Sequence, residues 1–545
     1  MTRLVGTPYT QHRDEGPYDA VVIGSGIGGL GAAAALARAG GLRVLVLERH
    51  HTAGGFTHVF HRPGFEWDVG LHYIGQVTGA GGAAGLFDYV TGGGVEWNAM
   101  PDAYDRVTVG ARRFDYVTGR ERLRDALADA FPRERRAIDR YLTAVQRCLG
   151  AMPLYYMEKV LPPVTRAPFL RYARRTTADV LAGLGASPDL QAVLTAQWGD
   201  YGLPPGRSSF GIHAIVAGHY LDGAAYPVGG AGQLARTMLP VIEQAGGAVI
   251  VGADVQHVVL GGRRAIGVRM ADGREYRAPA VISDAGLVRT FRELVPEPTR
   301  PVAALLDRVA AIEPSHAHLG LYVGVSTARL ASPLPASNLW IHPTPDFDRN
   351  WDAFAADLEA PFPLLFVSFP SAKDPTFEAR YPGHQTIEVV VPAPYEPFAA
   401  WSRSAWKRRD GDYTALKQRL HDRLLEALER QIPGIGRAIV VSEVSTPLTT
   451  RHFANAAHGE TYGLAHTPAR FASRDLKPVT PVPGLYLTGQ DVSTCGVAGA
   501  LAGAVACASA VLHRNLFQTM RTRHARTRPA AADAGGPRDA LRRAG

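Results

Sequence analysis

Cysteine is scarce in this chain: Cys148, Cys495 and Cys507 are the three among 545 residues. They form no CxxC pair and no metal-ligand spacing. That excludes a disulfide framework, leaves no metal site to expect, and makes a reducing compartment, the cytoplasm, the default. Charge of one sign is also scarce. Lys plus Arg exceed Asp plus Glu by 58 to 50, and much of the excess lies beyond Arg514, where Arg521, Arg523, Arg526, Arg528, Arg538, Arg542 and Arg543 face only Asp533 and Asp539. This reads as a basic tail, not a nucleic-acid groove, and no nucleic-acid partner is expected. Long apolar runs are missing too. Gly496 to Leu512 carries no charge but is 17 residues long and rich in Ala and Gly. It falls short of the ~20 residues a membrane span needs and reads as a buried helix packed closely on a sheet. Met1 to Tyr18 is polar, without the apolar stretch of a secretory signal.

What is present is a chain that is 46% apolar, enough for several domains or for two large ones assembled from separated segments. Ala20 to Ile23 is a short apolar run suited to a buried parallel strand. It meets a Gly-rich turn, Gly24-Ser25-Gly26-Ile27-Gly28-Gly29. An Ala-rich helix, Leu30 to Ala39, follows and stops at Gly40-Gly41. A second buried strand, Arg43 to Leu47, ends at Glu48. The turn predicts a dinucleotide site. Gly24 permits the turn, Gly26 lets a diphosphate approach the backbone, and Gly29 lets the helix close on the strand. The helix N-terminus attracts the diphosphate. Glu48, 24 residues after Gly24, is placed to accept hydrogen bonds from ribose hydroxyls, and it disfavours a 2′-phosphate. Gly54-Gly55 follows the second strand and suits a close approach to the same extended cofactor. Near the C-terminus, GLYLTGQD (484 to 491) supplies another strand and glycine, with Gly489 and Asp491 facing the cofactor's far end.

Three blocks carry a resemblance: GGFTHVFHRPGFEWDVGLHYIG (54 to 75), GDYGLPPGRSSFGIHAIVAGHYLDGAAYPVGG (199 to 230) and LYLTGQDVSTCGVAGALAGAVACASAVL (485 to 512). The stretch STPLTTRHF (445 to 453) also fits. In these the chain resembles the superfamily of FAD-dependent phytoene desaturases, carotenoid isomerases and retinol saturases, most of all the last. The resemblance implies an α/β fold: a glutathione-reductase-like Rossmann FAD domain with an inserted α+β substrate domain. It implies FAD contacts from Gly24, Ser25, Gly26, Gly28, Gly29, Glu48, Arg49, Gly54, Gly55, Gly489 and Asp491, with Val255 beside the adenine. Phe56 stands where related amine oxidases carry an arginine, which counts against amine oxidation. The expected division is an N-terminal tail to residue 17 and an FAD-binding domain of 18–75, 227–299 and 472–514. A substrate domain of 76–226 and 300–471 and a basic, disordered tail from 515 complete it.

The implied reaction is redox chemistry at a carbon–carbon double bond of a hydrophobic polyene or isoprenoid, most like retinol saturation. Carotenoid desaturation, cis–trans isomerisation, and a non-catalytic flavin-containing isoprenoid carrier are the alternatives. Saturation needs a hydride and a proton. The candidate acids or polar anchors are His72, Tyr73, Asp200 and Tyr201, with His213, His219 and Tyr220 in the same block; for any one alone, a satisfied core residue is the more ordinary reading. Cys495 reads as a small residue at a tight helix entry. No second dinucleotide motif is evident at Gly79 to Gly85, Gly92 to Gly94 or Gly229 to Gly232, so the electron donor is unknown, binding transiently or being another protein. Tyr155 to Arg175 interleaves aromatic residues with Lys159, Arg166, Arg171, Arg174 and Arg175. It reads equally as a peripheral membrane contact and as a solvated face.

Overall fold

The computed structural model describes residues 4–13, 16–78, 82–156, 163–296 and 299–520. Its first layer is a six-stranded parallel sheet in the spatial order Thr7–Pro8, Ala248–Val251, Val44–Glu48, Ala20–Ile23, Ala280–Ser283 and Leu485–Leu487. The inner strands are mostly apolar and buried, Ala248 and the terminal Glu48 being half-buried, as a sheet covered on both faces requires. One face carries the helices Ile27–Gly40, Gln233–Glu243 and Gly496–Val511. The other carries the antiparallel meander Val255–Gly261, Arg264–Met270 and Glu275–Arg277.

A second, seven-stranded mixed sheet runs Ile439–Ser445, Ala317–Ser326, His384–Ala393, Leu365–Ser368, Asn338–His342, Ala103–Val109 and Arg112–Val117. Its strands alternate between two cores. Trp340 and Phe366 face a helical layer that includes Arg135–Tyr156 and Phe210–Tyr220, while Leu339, Ile341 and Val367 face the long helix Gly411–Gln431. Its one parallel pairing, Asn338–His342 with Ala103–Val109, sets Asn338 opposite Asp105.

The expected boundaries shift. Val5 is buried and Thr7–Pro8 forms an edge strand, so the segment read as an N-terminal tail is partly built into the sheet; a proline is tolerated there because the edge needs no further donor. Phe87, Tyr89, Val90 and Val95 pack in the first sheet's core, which extends that unit past the boundary expected at 75. Val302, Leu305 and Val309 extend it past 299. At the other end Leu516 and Met520 are buried in the same core, so the tail does not begin at 515; residues from Arg521 onward lie outside the described residues. The Ala/Gly helix lies on the sheet's face, as expected, and packs most closely on the helix Ile27–Gly40. A Cβ on Gly31 would lie 2.7 Å from Leu501 Cδ1 and 3.0 Å from Ala504 Cβ, so small residues set the interhelical distance. Among the described residues no helix is long and apolar enough to cross a membrane.

Candidate functional site

The Gly-rich turn connects Ala20–Ile23 to Ile27–Gly40, with Gly26 as N-cap. Gly24 adopts φ +96°, a conformation an L side chain resists. A Cβ on Gly29 would sit 2.2 Å from Gly24 O, so Gly29 does allow the close helix–strand approach. Gly26 and Gly28 also make room for a remote side chain. Added Cβ atoms there would lie 2.6 and 2.3 Å from the Asp284 carboxylate, and one on Gly489 would lie 2.4 Å from it. The glycines therefore make room for Asp284, whose Oδ2 accepts the Gly29 amide at 2.9 Å. Burial, with Glu48 and Asp491 nearby, pushes its carboxyl up to about 7. Asp284 follows the buried strand Ala280–Ser283; sequence reasoning missed it, the only signal being an acid at the end of an apolar strand.

Glu48 is fixed by three donors: Ser25 N at 2.8 Å, Ser25 Oγ at 2.7 Å and His50 N at 2.7 Å. It shapes the turn as well as facing the cavity. Gly54 donates to Ser25 O, and a Cβ on Gly55 would lie 2.7 Å from Gly26 Cα, so the glycine pair packs one loop on the other. Arg49 directs its guanidinium to the carbonyls of His452 and Phe453. Asp491 accepts the amides of Leu287 at 2.8 Å and Leu464 at 3.2 Å, tying three segments together. Val255 is buried at the start of its strand and lines the cavity. Among the described residues the amides of Ile27 and Gly28 have no protein acceptor, and both residues line the cavity. Two free donors at a helix N-terminus fit a diphosphate.

The cavity, of about 1700 Å³, runs from this turn to the second sheet, well above the ~300–1,000 Å³ of ordinary ligand pockets. Its far wall is apolar at Ile215, Val216, Trp340, Leu364 and Phe366 and polar at His72, Tyr73 and Asp200. Tyr73 OH is 2.9 Å from both Asp105 Oδ2 and Asp200 Oδ2 and stacks on Tyr220. Burial, then Asp105, pushes Asp200 up to about 8. Asp105 also accepts Gln197 Nε2 at 2.7 Å and Asn338 Nδ2 at 2.8 Å. Behind it Lys373 Nζ, fully enclosed, donates to Asn338 Oδ1, Ser368 Oγ and His72 O; burial lowers it to about 8 against the pull of Glu388, Asp105 and Asp68. His72 Nδ1 lies 2.9 Å from Glu388 Oε2, out of line for a hydrogen bond, and burial lowers its imidazole to about 4. A neutral imidazole is a poor acid, so His72 is better suited to orienting than to protonating.

Tyr201 is not at the cavity: its hydroxyl meets His213 Nδ1 at 3.2 Å, and His213 Nε2 meets Tyr141 OH at 3.0 Å, a satisfied core triad. His219 accepts the Gly75 amide at 2.8 Å. Cys495 caps the helix Gly496–Val511 and burial pushes its thiol up to about 12, which leaves it inert. Asp105, Asn338, Lys373 and Glu388 went unnoticed in the sequence because none sits in a motif.

Sheet order, glycine turn and shared cavity define a two-part protein built on a Rossmann-like dinucleotide-binding fold. The chain matches the NAD(P)-binding Rossmann-like domain family over residues 22–90. Its fold is shared by an oxidoreductase from Methanosarcina mazei, with 17% identity and TM-score 0.59 over 91% of this chain and 100% of that one. All-trans-retinol 13,14-reductase from Danio rerio is 38% identical over 525 residues, 91% of this chain and 86% of the relative. A prolycopene isomerase from an Oncidium hybrid cultivar is 26% identical over 82% of this chain and 75% of its own length. The chain belongs to the all-trans-retinol 13,14-reductase family.

Proposed function

We propose that this protein is an FAD-dependent oxidoreductase that saturates a carbon–carbon double bond of a polyene alcohol such as all-trans-retinol. The carrying observation is one continuous cavity with free helix-start amides and Glu48 at one end and an apolar wall interrupted by Tyr73 and Asp200 at the other. Bound and reduced, the flavin would supply a hydride to one carbon of the double bond. Gly24, Ser25, Gly26, Gly28, Gly29, Glu48, Gly54, Gly55, Val255, Gly489 and Asp491 would frame it, directly or by holding the turn, with Arg49 closing the rim. The apolar wall excludes water and takes the polyene chain, and the polar residues face its reacting end.

The same reading includes peripheral contact with the bilayer that would deliver the substrate. Val164 is 72% exposed in this aromatic and basic stretch, whereas the Tyr156 hydroxyl turns inward to Ser493. Arg166 does not contribute, being buried against Phe471 O and Ser473 O, and residues 157–162, with Lys159, lie outside the described residues.

The test is anaerobic incubation of the protein with reduced FAD and all-trans-retinol, with products separated by mass. A gain of two hydrogens is expected. An isomer of unchanged mass would replace this reading with isomerisation, and loss of two hydrogens from a carotenoid with oxidised FAD would replace it with desaturation. Absence of any polyene-dependent flavin reoxidation would leave a flavin-containing carrier.

A further inference from the structure

Tyr73 has one phenolic proton and two carboxylate neighbours. Its oxygen is 2.9 Å from Asp105 Oδ2 and 2.9 Å from Asp200 Oδ2. Both contacts are hydrogen bonds only if one carboxyl carries a proton of its own and donates to the phenol. The surroundings decide which. Asp105 takes Gln197 Nε2 on Oδ2 and Asn338 Nδ2 on Oδ1. The Asn338 amide cannot be turned round, because its Oδ1 accepts Lys373 Nζ. Burial raises the Asp105 carboxyl as well, but its amide donors and the ammonium one residue behind oppose that, so the anion is better supported at Asp105 than at Asp200. Among the described residues no cation stands against Asp200. Around it stand Tyr73, Tyr104, Tyr220, Tyr462, Cys495 and Asp105, all neutral or negative. Asp200 is the member of the pair that reaches the cavity; Asp105 does not line it.

We infer that Asp200 holds a proton at its carboxyl and is the acid that completes saturation, and that Tyr73 and Asp105 keep that proton in place. This rests on reading the cavity as the site of polyene reduction. In the step, the Asp200 O–H bond breaks and a C–H bond forms at the carbon that does not receive the hydride of the reduced flavin. Asp200 becomes a carboxylate, and the Tyr73 hydroxyl swings its proton from Asp105 to this new anion. Solvent protonates Asp200 again when product leaves. Asp200 is the catalytic residue; Tyr73 and Asp105 are positioning residues. The position agrees with the acidity: burial and Asp105 keep Asp200 protonated up to about pH 8.

Two measurements test this. The first needs neither flavin nor polyene: infrared pH titration of wild type against Asp200→Asn. The difference should contain a protonated-carboxyl band that disappears near pH 8. A carboxylate signal at Asp200 throughout neutral pH would overturn the assignment. The second is the rate at which polyene reoxidises the reduced flavin. Asp200→Asn should keep its flavin and lose about 100-fold or more in this rate, the usual share of a general acid; an undiminished rate overturns the proposal. Asp105→Asn should move the alkaline limb of the rate to lower pH, because Tyr73 is then free to stabilise ionised Asp200. A purely structural Asp105 would lower the rate and leave the limb in place, which would remove Asp105 from the proposal. Should Asp105→Asn fail to fold, the Asp200→Asn pair of measurements decides. If wild type shows the infrared band but reduces no polyene, the proposed function fails while the proton assignment stands.

Discussion

The two ends of the cavity are built in opposite ways. At the glycine turn the groups offered to a ligand are backbone amides and one carboxylate drawn from residues 24 to 55, and glycine supplies the room. At the far wall the groups are side chains from residues 72, 73, 105, 200, 338, 373 and 388, and a buried lysine supplies the charge. The first is a local device anchored by two remote residues, Asp284 and Gly489. The second exists only once two sheets and a helical layer have closed on one another. A turn of this kind should fail by losing its ligand, whereas a buried charged network should fail by losing the fold.

The largest expected effect sharpens the first half of that contrast. Glu48→Arg should purify essentially free of FAD while remaining folded, and Glu48→Gln should weaken FAD about tenfold or more, since each charge-assisted hydrogen bond is worth roughly 1.5–3 kcal/mol and ~1.4 kcal/mol is tenfold. Flavin-to-protein ratio and titration of the apoprotein measure both. Because Glu48 also holds Ser25, Ser25→Ala is the control; its affinity loss should be smaller. Full flavin in Glu48→Arg would remove Glu48 from the ribose.

Next is the far wall. Lys373→Met should cost about 3–5 kcal/mol of stability, because it leaves three buried acceptors unpaired and Asp105 without its nearby cation. Adding Asp105→Asn should recover part of that loss. Denaturant unfolding measures the cycle, and strict additivity of the two changes would break the idea of a coupled network.

A smaller effect follows from acidity. Asp68, Asp200 and Glu388 are pushed up to about 8, chiefly by burial. In the unfolded chain they ionise near pH ~4, so folding retains protons and stability falls as pH rises through that window. Buried histidines such as His72, lowered to about 4, act in the opposite direction, but only below about pH 6.5, where unfolded imidazole is protonated. Tm should therefore decline between about pH 6.5 and 8, and Glu388→Gln should flatten the decline. A flat Tm in wild type would show these carboxyls to be ionised.

The smallest effect returns to the turn. A diphosphate at Ile27 and Gly28 would add negative charge near Asp284 and favour its neutral form, so FAD affinity should fall as pH rises through about 7. Asp284→Asn should bind FAD with a flatter pH profile. An unchanged profile would mean that Asp284 does not sense the cofactor.

The sequence by itself determined the glycine turn, its flanking strands and helix, and the family. The turn's signals lie within one stretch of about thirty residues, where backbone geometry is dictated by neighbours, and the family's lie in blocks spread from 54 to 512. It also marked Tyr73 and Asp200, though it grouped Tyr201 with them; one position along the chain, Tyr201 turns into the core. Only the tertiary structure decided what the glycines make room for, since Asp284 is 256 residues beyond Gly28. It likewise decided which side chains share a proton. Asp105 meets Asn338 because a parallel pairing sets those residues opposite each other, and Glu388 meets the Lys373 environment because its strand pairs with Leu365–Ser368. Sheet register is fixed by which faces the two cores bury, a property of the whole chain that no local pattern of residues carries.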